Sequence, residues 1–93
     1  MGKYYLNLSE KAKRDLKTIK KSGDKSSIHK VEKIFNELSE TPTQGIGKPE
    51  LLKYKYGGLW SRRINQKDRL IYKIEENIVT VFVISAKGHY DDK

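Results

Sequence analysis

Glu50, Arg63, Arg69 and His89 are the side chains of this sequence whose types, if brought together, could break a phosphodiester bond without a metal. A carboxylate held among basic groups can take a proton, and an imidazole can return one. An arginine fork pairs bidentately with phosphate, whereas lysine acts as a point charge. Tyr90, next to the histidine, adds a ring on which a nucleobase could stack. Each residue also has a plainer local explanation. Glu50 could balance Lys48 or Lys53, His89 and Tyr90 stand in a short polar tail, His29 lies among lysines on a helix, and Trp60 suits the packing of a sheet. It is the combination in so short a chain that points to chemistry.

Charge gathers around the same residues. The 93-residue chain carries 20 Lys and Arg against 12 Asp and Glu, a formal +8. Residues 48–74 hold eight basic and two acidic side chains, so this stretch alone is +6, and it contains Arg62, Arg63 and Arg69. Such an excess suits a polyanionic partner, a nucleic acid or an acidic protein, and charge by itself does not choose between them. Without Cys there is no disulfide framework and no thiolate chemistry, and two His make a poor zinc set, so neither metal nor cofactor is expected. No apolar run nears the roughly 18 residues of a membrane span. Nor does Met1-Gly2-Lys3-Tyr4-Tyr5 open a signal-peptide core, and the expected location is cytoplasmic. The length suits one domain over residues 1–93, with 91–93 as a short polar extension.

The elements that must position these residues follow from periodicity. Tyr4, Leu6 and Leu8 alternate with Tyr5 and Asn7, which predicts a short strand. Ser9 is a good N-cap for a helix to about Lys21, with Ala12, Leu16 and Ile19 as its apolar stripe. Ser22-Gly23-Asp24 breaks it. Asp24 or Ser26 caps a second helix whose inner face is Ile28, Val31, Phe35 and Leu38, with Ile34 at its edge, and Thr41-Pro42 ends it. So short a connection makes the two helices an antiparallel hairpin. Residues 41–49, with two Gly and two Pro, are a loop. Then come a strand or turn through Leu51, Leu52, Tyr54 and Tyr56, a strand over 59–64, a turn at 65–68, a strand over 69–74 and a turn at 75–77. Residues 78–84, almost continuously apolar and β-branched, read as the central strand. The fold class is α+β in the order β-α-α-β-β-β-β. A mostly antiparallel sheet of four or five strands then carries the helical hairpin on one face and leaves the other open.

Whether the arginines share that open face depends on register. If Asn65 pairs with Arg69, then Arg63 pairs with Ile71 and both arginines point the same way. If Ile64 pairs with Arg69, they fall on opposite faces, because one residue of slip turns every side chain over. The apolar pattern favours the first, which puts Leu70, Tyr72 and Ile74 under the helices with Trp60 and Ile64. Arg62 then lies on the covered face and must snorkel out or find a partner.

The segments Gly47-Lys48-Pro49-Glu50-Leu51-Leu52-Lys53, Gly58-Leu59-Trp60-Ser61-Arg62-Arg63-Ile64, Arg69-Leu70-Ile71-Tyr72 and His89-Tyr90 together resemble the YoeB/Txe branch of the RelE-like toxins of bacterial toxin–antitoxin systems. The resemblance is close over residues 41–90. In the first strand and helical hairpin it is one of order and size. It implies a RelE-like, microbial-ribonuclease-type fold and a ribosome-dependent endoribonuclease that cuts mRNA in the ribosomal A site. It implies an acidic, partly disordered antitoxin of the YefM/Axe kind, a homodimer, contact with operator DNA only through the antitoxin, and no membrane. By the same resemblance Glu50, Arg63, Arg69, His89 and Tyr90 are catalytic, and Lys48 and Lys53 contact RNA. Two departures stand out: Asp91-Asp92-Lys93 continues past the His-Tyr pair at which relatives often stop, and Tyr54 stands where some relatives have histidine.

The demands of metal-free RNA cleavage fit this set. Glu50 is the candidate base for the 2′-hydroxyl, Arg63 and Arg69 hold charge on the phosphorane with Lys53 in support, and His89 protonates the leaving 5′-oxygen. The products are a 2′,3′-cyclic phosphate, or its opened 3′-phosphate, and a 5′-hydroxyl. Which group is base and which is acid stays open at this level. The alternative is a non-catalytic RNA- or ribosome-binding module using the same basic face.

Overall fold

A computed structural model describes residues 3–53 and 57–87. Its elements are β1 (Tyr5–Leu8), α1 (Glu10–Lys21), α2 (Lys25–Leu38), β2 (Glu50–Leu51), β3 (Trp60–Arg63), β4 (Arg69–Glu75) and β5 (Thr80–Ser85). They form one five-stranded sheet in the order β1-β5-β4-β3-β2, antiparallel except where β1 runs parallel to β5. The mostly antiparallel sheet with a helical hairpin on one face, expected from the sequence, is the fold observed. Among the described residues no helix is long and apolar enough to cross a membrane.

Both helices begin where a side chain can satisfy their free N–H groups. The Ser9 hydroxyl oxygen accepts the Ala12 N–H at 3.0 Å, and Glu10 in the first turn with Lys20 and Lys21 in the last complements the helix dipole. The same hydroxyl donates to the Ile84 carbonyl at 2.6 Å, which ties the start of α1 to β5. After Gly23, whose φ of 76° suits glycine, the Asp24 carboxylate accepts from the Ser27 N–H and hydroxyl at 3.3 and 2.7 Å and caps α2.

The core lies between the hairpin and the sheet. Ala12 and Ile19 of α1 and Val31, Ile34 and Leu38 of α2 pack with Leu70, Tyr72, Val81 and Val83 of the strands. The inner stripe of α2 thus runs Ser27, Val31, Ile34, Leu38, at intervals of four, three and four. Ile34, expected at the edge, is fully enclosed. Ile28 and Phe35, expected inside, are rotated toward the gap between the helices and remain half-buried.

Two strand assignments shift. Ile78 is not in a strand: Glu76–Ile78 form a single 3-10 turn, Ile78 is 57% exposed, and Val79 takes a left-handed conformation that delays β5 to Thr80. The middle of the sheet is then β4, flanked by β3 and β5, while β5 is the interior strand beside it. The β3–β4 register places Arg63 opposite Arg69 and Arg62 opposite Leu70. This is two residues from the Asn65–Arg69 pairing favoured by the apolar pattern. A slip of two preserves faces, so the arginines do share a side and Arg62 does lie under the helices.

Beyond β5 the chain is held by α1. The Asp15 carboxylate accepts the Ala86 N–H at 3.1 Å and pairs with Lys11 at 2.6 Å. Burial pushes the Asp15 carboxyl up, but the bonds from Lys11 and from the Ala86 and Lys87 N–H groups outweigh it and hold it below the ordinary carboxylate value. A depressed value means stability that is present above the unfolded-state pKa and lost as pH falls through the folded one. Asp15→Asn, which keeps an acceptor and removes the charge, should therefore cost about 1–2 kcal/mol near neutral pH. In thermal melts the gap between variant and wild type should close as pH drops below about 4; a gap constant down to the acid limit contradicts this role.

Candidate active site

Because Arg62 reaches α2, the alternation of β3 turns Arg63, and its partner Arg69, to the opposite face, which the helices do not cover. Like charges in directly opposed strand positions disfavour pairing. The turn beyond them opposes that repulsion. The Asn65 side-chain carbonyl accepts the Lys67 and Asp68 N–H groups at 2.9 and 2.8 Å, and the Ile64 N–H donates to the Asp68 carbonyl at 3.0 Å.

The carboxylate arrives from the sheet edge. Glu50 of β2 pairs with Ser61 of β3, one strand over from Arg63 and two from Arg69, and its Oε1 lies 3.7 Å from Arg69 Nη1. The Glu50 side chain is 62% exposed and that of Arg69 30%, so this is a loose, solvated contact of small energy. A cleft of about 470 Å³ results, lined by Gly47, Lys48, Pro49, Glu50, Arg63 and Arg69. Among the described residues, three cations face one carboxylate in it. Among the described residues no group of three His, Asp or Glu is arranged to hold a metal ion.

The wall opposite the hairpin is the end of the loop after α2. The Gly47 carbonyl accepts the Arg63 N–H at 2.6 Å, and a Cβ at Gly47 would stand 2.9 Å from the Arg63 carbonyl, so only glycine lets the loop lie this close. Gly47 at φ 82° and Lys48 at φ 52° are both left-handed, an uncommon state for a lysine. The loop is held from beneath by Arg62, which has no solvent exposure. Its Nη1 donates to Glu37 Oε1 at 2.6 Å and to the Ile46 carbonyl at 3.4 Å. Its Nη2 donates to the carbonyls of Thr41 and Gln44 at 3.0 and 2.7 Å, and its Nε to the Tyr72 hydroxyl at 3.1 Å. That hydroxyl donates onward to the Pro42 carbonyl at 2.7 Å. Burial raises the Tyr72 pKa, and Arg62 only partly opposes it, so the phenol keeps the proton this bond needs.

Glu50, Arg63, Arg69 and Lys48 are thus brought together. Lys53 is exposed two residues beyond β2 and is not among the cleft-lining residues. His89 and Tyr90 lie outside the described residues, as do Tyr54, Tyr56 and residues 91–93. Sequence reasoning left out Gly47 as a wall of the cleft and Glu37 as the partner of Arg62. The Gly45-Ile46-Gly47 run was the available signal for the first. For the second there was only the expectation that a buried arginine needs an acid.

A small basic α+β protein thus carries an arginine pair and a carboxylate in a single cleft on the sheet face away from the helices. That face is not open throughout, as the sequence led one to expect, since Ser61 and Ile71 on it are buried. Comparison with known proteins narrows the class. Residues 8–90 match the family of YoeB-like toxins of bacterial type II toxin–antitoxin systems. The chain is 39% identical over 67 residues to a toxin YoeB of Synechocystis, covering 72% of this chain and 76% of that one. A YoeB dimer from Staphylococcus aureus superimposes with a TM-score of 0.79 at 31% identity, over 95% of this chain and 99% of that one. The heterotetrameric YoeB-YefM toxin–antitoxin complex from the same organism gives 0.76 at 33% identity, over 94% and 98%. The chain belongs to the YoeB-like toxin family, the toxin side of type II toxin–antitoxin systems.

The cleft geometry predicts how polyanion binding depends on salt. Replacing Arg63 or Arg69 by Gln should remove one phosphate contact and flatten the slope of log K against log salt for a single-stranded oligonucleotide by about 0.7. Fluorescence anisotropy across a salt series reads this slope, and an unchanged slope for both variants would place the anion elsewhere.

Proposed function

We propose that this chain is a ribosome-dependent endoribonuclease that stops translation by cutting mRNA in the ribosomal A site. The observation that carries the reading is the opposed Arg63–Arg69 pair with Glu50 beside it in one open cleft. A phosphodiester entering between the arginines competes with Glu50 for the Arg69 guanidinium. The carboxylate is thereby freed to take the proton of the 2′-hydroxyl as its oxygen attacks phosphorus. Arg63 and Arg69 then hold the charge that builds on the non-bridging oxygens, the role that usually dominates such catalysis. Lys48, held left-handed at the rim, contacts the RNA backbone on the way in, with Lys53 further along the same approach. His89 returns a proton to the departing 5′-oxygen, and Tyr90 stacks on a nucleotide to hold it in line. DNA lacks the attacking hydroxyl and survives.

The partners follow from charge and kinship. An acidic, partly disordered antitoxin segment that folds on contact complements a +8 toxin, and the Staphylococcus aureus relative is known in complex with YefM. Contact with operator DNA falls to the antitoxin. A two-fold dimer is the expected assembly, as in the Staphylococcus aureus YoeB dimer, and the expected site of action is the cytoplasm.

Single-turnover cleavage on saturating, mRNA-programmed ribosomes tests the mechanism, because binding then no longer limits the rate. Glu50→Gln and His89→Gln should lose roughly 10²–10⁴-fold while ribosome affinity holds. Arg69→Ala should lose at least as much, since one such charge-stabilising donor is worth about 3–4 kcal/mol. Lys17→Gln, on the exposed face of α1, should weaken binding in a salt-dependent way and leave the bound rate alone. Binding without cleavage by the wild type would instead establish the non-catalytic module. Wild-type rates in both Gln variants would move the chemistry to other residues.

A further inference from the structure

Arg62 and Arg63 are adjacent in sequence and part company in the fold: Arg63 faces the cleft, and Arg62 points under the helices with no exposure at all. A guanidinium has five N–H donors. Those of Arg62 are matched by five acceptors, of which three are carbonyls of one loop, at Thr41, Gln44 and Ile46. The other two secure the same loop indirectly. Glu37 also accepts the Ile46 N–H at 2.9 Å, and Tyr72 donates to the Pro42 carbonyl. Ile46 packs against the core and Pro42 is buried, but the rest of this loop is glycine and polar residues, and its backbone carbonyls are captured by the guanidinium. Gly45 fits this arrangement for the same reason, since a Cβ there would overlap the Glu37 carboxylate. Immediately after the captured stretch come Gly47, bonded to the Arg63 N–H, then Lys48 and Glu50.

We infer that Arg62 is the positioning residue of the cleft: with Glu37 and Tyr72 it fixes the loop over residues 41–47, and through it holds Lys48 and Glu50 against the Arg63–Arg69 pair. The inference rests on the ribonuclease reading for its kinetic consequence, and on hydrogen bonding alone for its structural one. A lysine in place of Arg62 would carry the charge without the planar fork, and so could not bind Glu37, Tyr72 and three carbonyls at once.

The test uses Tyr72→Phe, which keeps the buried ring and removes only the hydroxyl that bridges Arg62 and Pro42, alongside Arg62→Met, which removes all five bonds and is the variant at risk of not folding. Ile19→Val, a core change in α1 remote from the network, is the control for lost stability without lost positioning. Hydrogen exchange, at a temperature where each protein is folded, should show the Ile46 and Arg63 amides of Tyr72→Phe exchanging faster while those of α1 and β5 match the wild type. Single-turnover cleavage on programmed ribosomes should fall by roughly 10- to 100-fold, as displaced reacting groups do, with ribosome affinity and the shape of the pH profile unchanged. Ile19→Val should change neither readout. Unaltered protection at Ile46 and Arg63 overturns the inference whatever the activity, and so does faster exchange with a wild-type single-turnover rate. If the wild type itself fails to cleave on ribosomes, it is the ribonuclease reading that falls, and the exchange measurement alone decides whether Arg62 holds the loop.

Discussion

Arg62 occupies the place where a charged side chain is most costly, between a sheet and the helix packed on it, and the fold is arranged around satisfying it. Desolvating a guanidinium is recovered only when an opposite charge and a full set of acceptors are in place, and stripping one partner from such a pair is typically worth about 3–5 kcal/mol. Glu37 supplies the charge from α2, Tyr72 an oxygen from the central strand, and the loop between α2 and β2 its carbonyls. The end of α2, the loop that follows it and the central strand some thirty residues later are thereby located against one another. An apolar residue at this position could have filled the space, yet it could not have bound the backbone carbonyls of Thr41, Gln44 and Ile46.

On the opposite face the problem is reversed. Arg63 and Arg69 are held close although they repel, and among the described residues Glu50 approaches Arg69 at 3.7 Å, in solvent. Leaving that repulsion uncancelled has a functional logic. A cleft whose cations were fully paired would have to break strong contacts before admitting a phosphate, whereas a loosely held Glu50 yields at little cost. Among the described residues the buried arginine is satisfied completely and the surface arginines are not. That contrast separates the residue that builds the cleft from the two that would use it.

How much of this was legible in the sequence varied with the range of the interaction. Caps and breaks, which are local, were read directly: Ser9, Asp24, Gly23 and the proline after α2 stand where expected. The faces of β3 and β4 were also legible, because apolar alternation decides them. The exact pairing was not, since a shift of two residues leaves that alternation intact and only the Asn65–Asp68 turn geometry fixes it. On α2 the stripe was placed one residue off centre. Ile34 and Phe35 are neighbours of similar hydropathy, and the angle at which the helix meets the sheet chooses between them. Ile78 looked like strand by composition but follows a 3-10 turn that only the left-handed Val79 reveals. Glu37 as the partner of Arg62 lies 25 positions away, beyond any local pattern. For the site itself, Glu50, Arg63, Arg69 and Lys48 line one cleft, whereas Lys53 stands outside its lining.

The parallel pairing of β1 with β5 bears on how the protein comes to be folded. Tyr5 is matched with Thr80, so the first strand finds its only partner across nearly the whole described chain. Contacts of such long range close late, after the loop between them has lost its freedom. The hairpin of β3 and β4 and its antiparallel neighbour β5 can assemble from nearby segments. Until β5 is laid down, β1 has no edge to join, and α1 lacks the Ser9–Ile84 bond that fastens its start. The edge strand and the tie of α1 to β5 therefore share one fate. They are expected to be gained together at the end of folding and to open together when the edge of the sheet first frays.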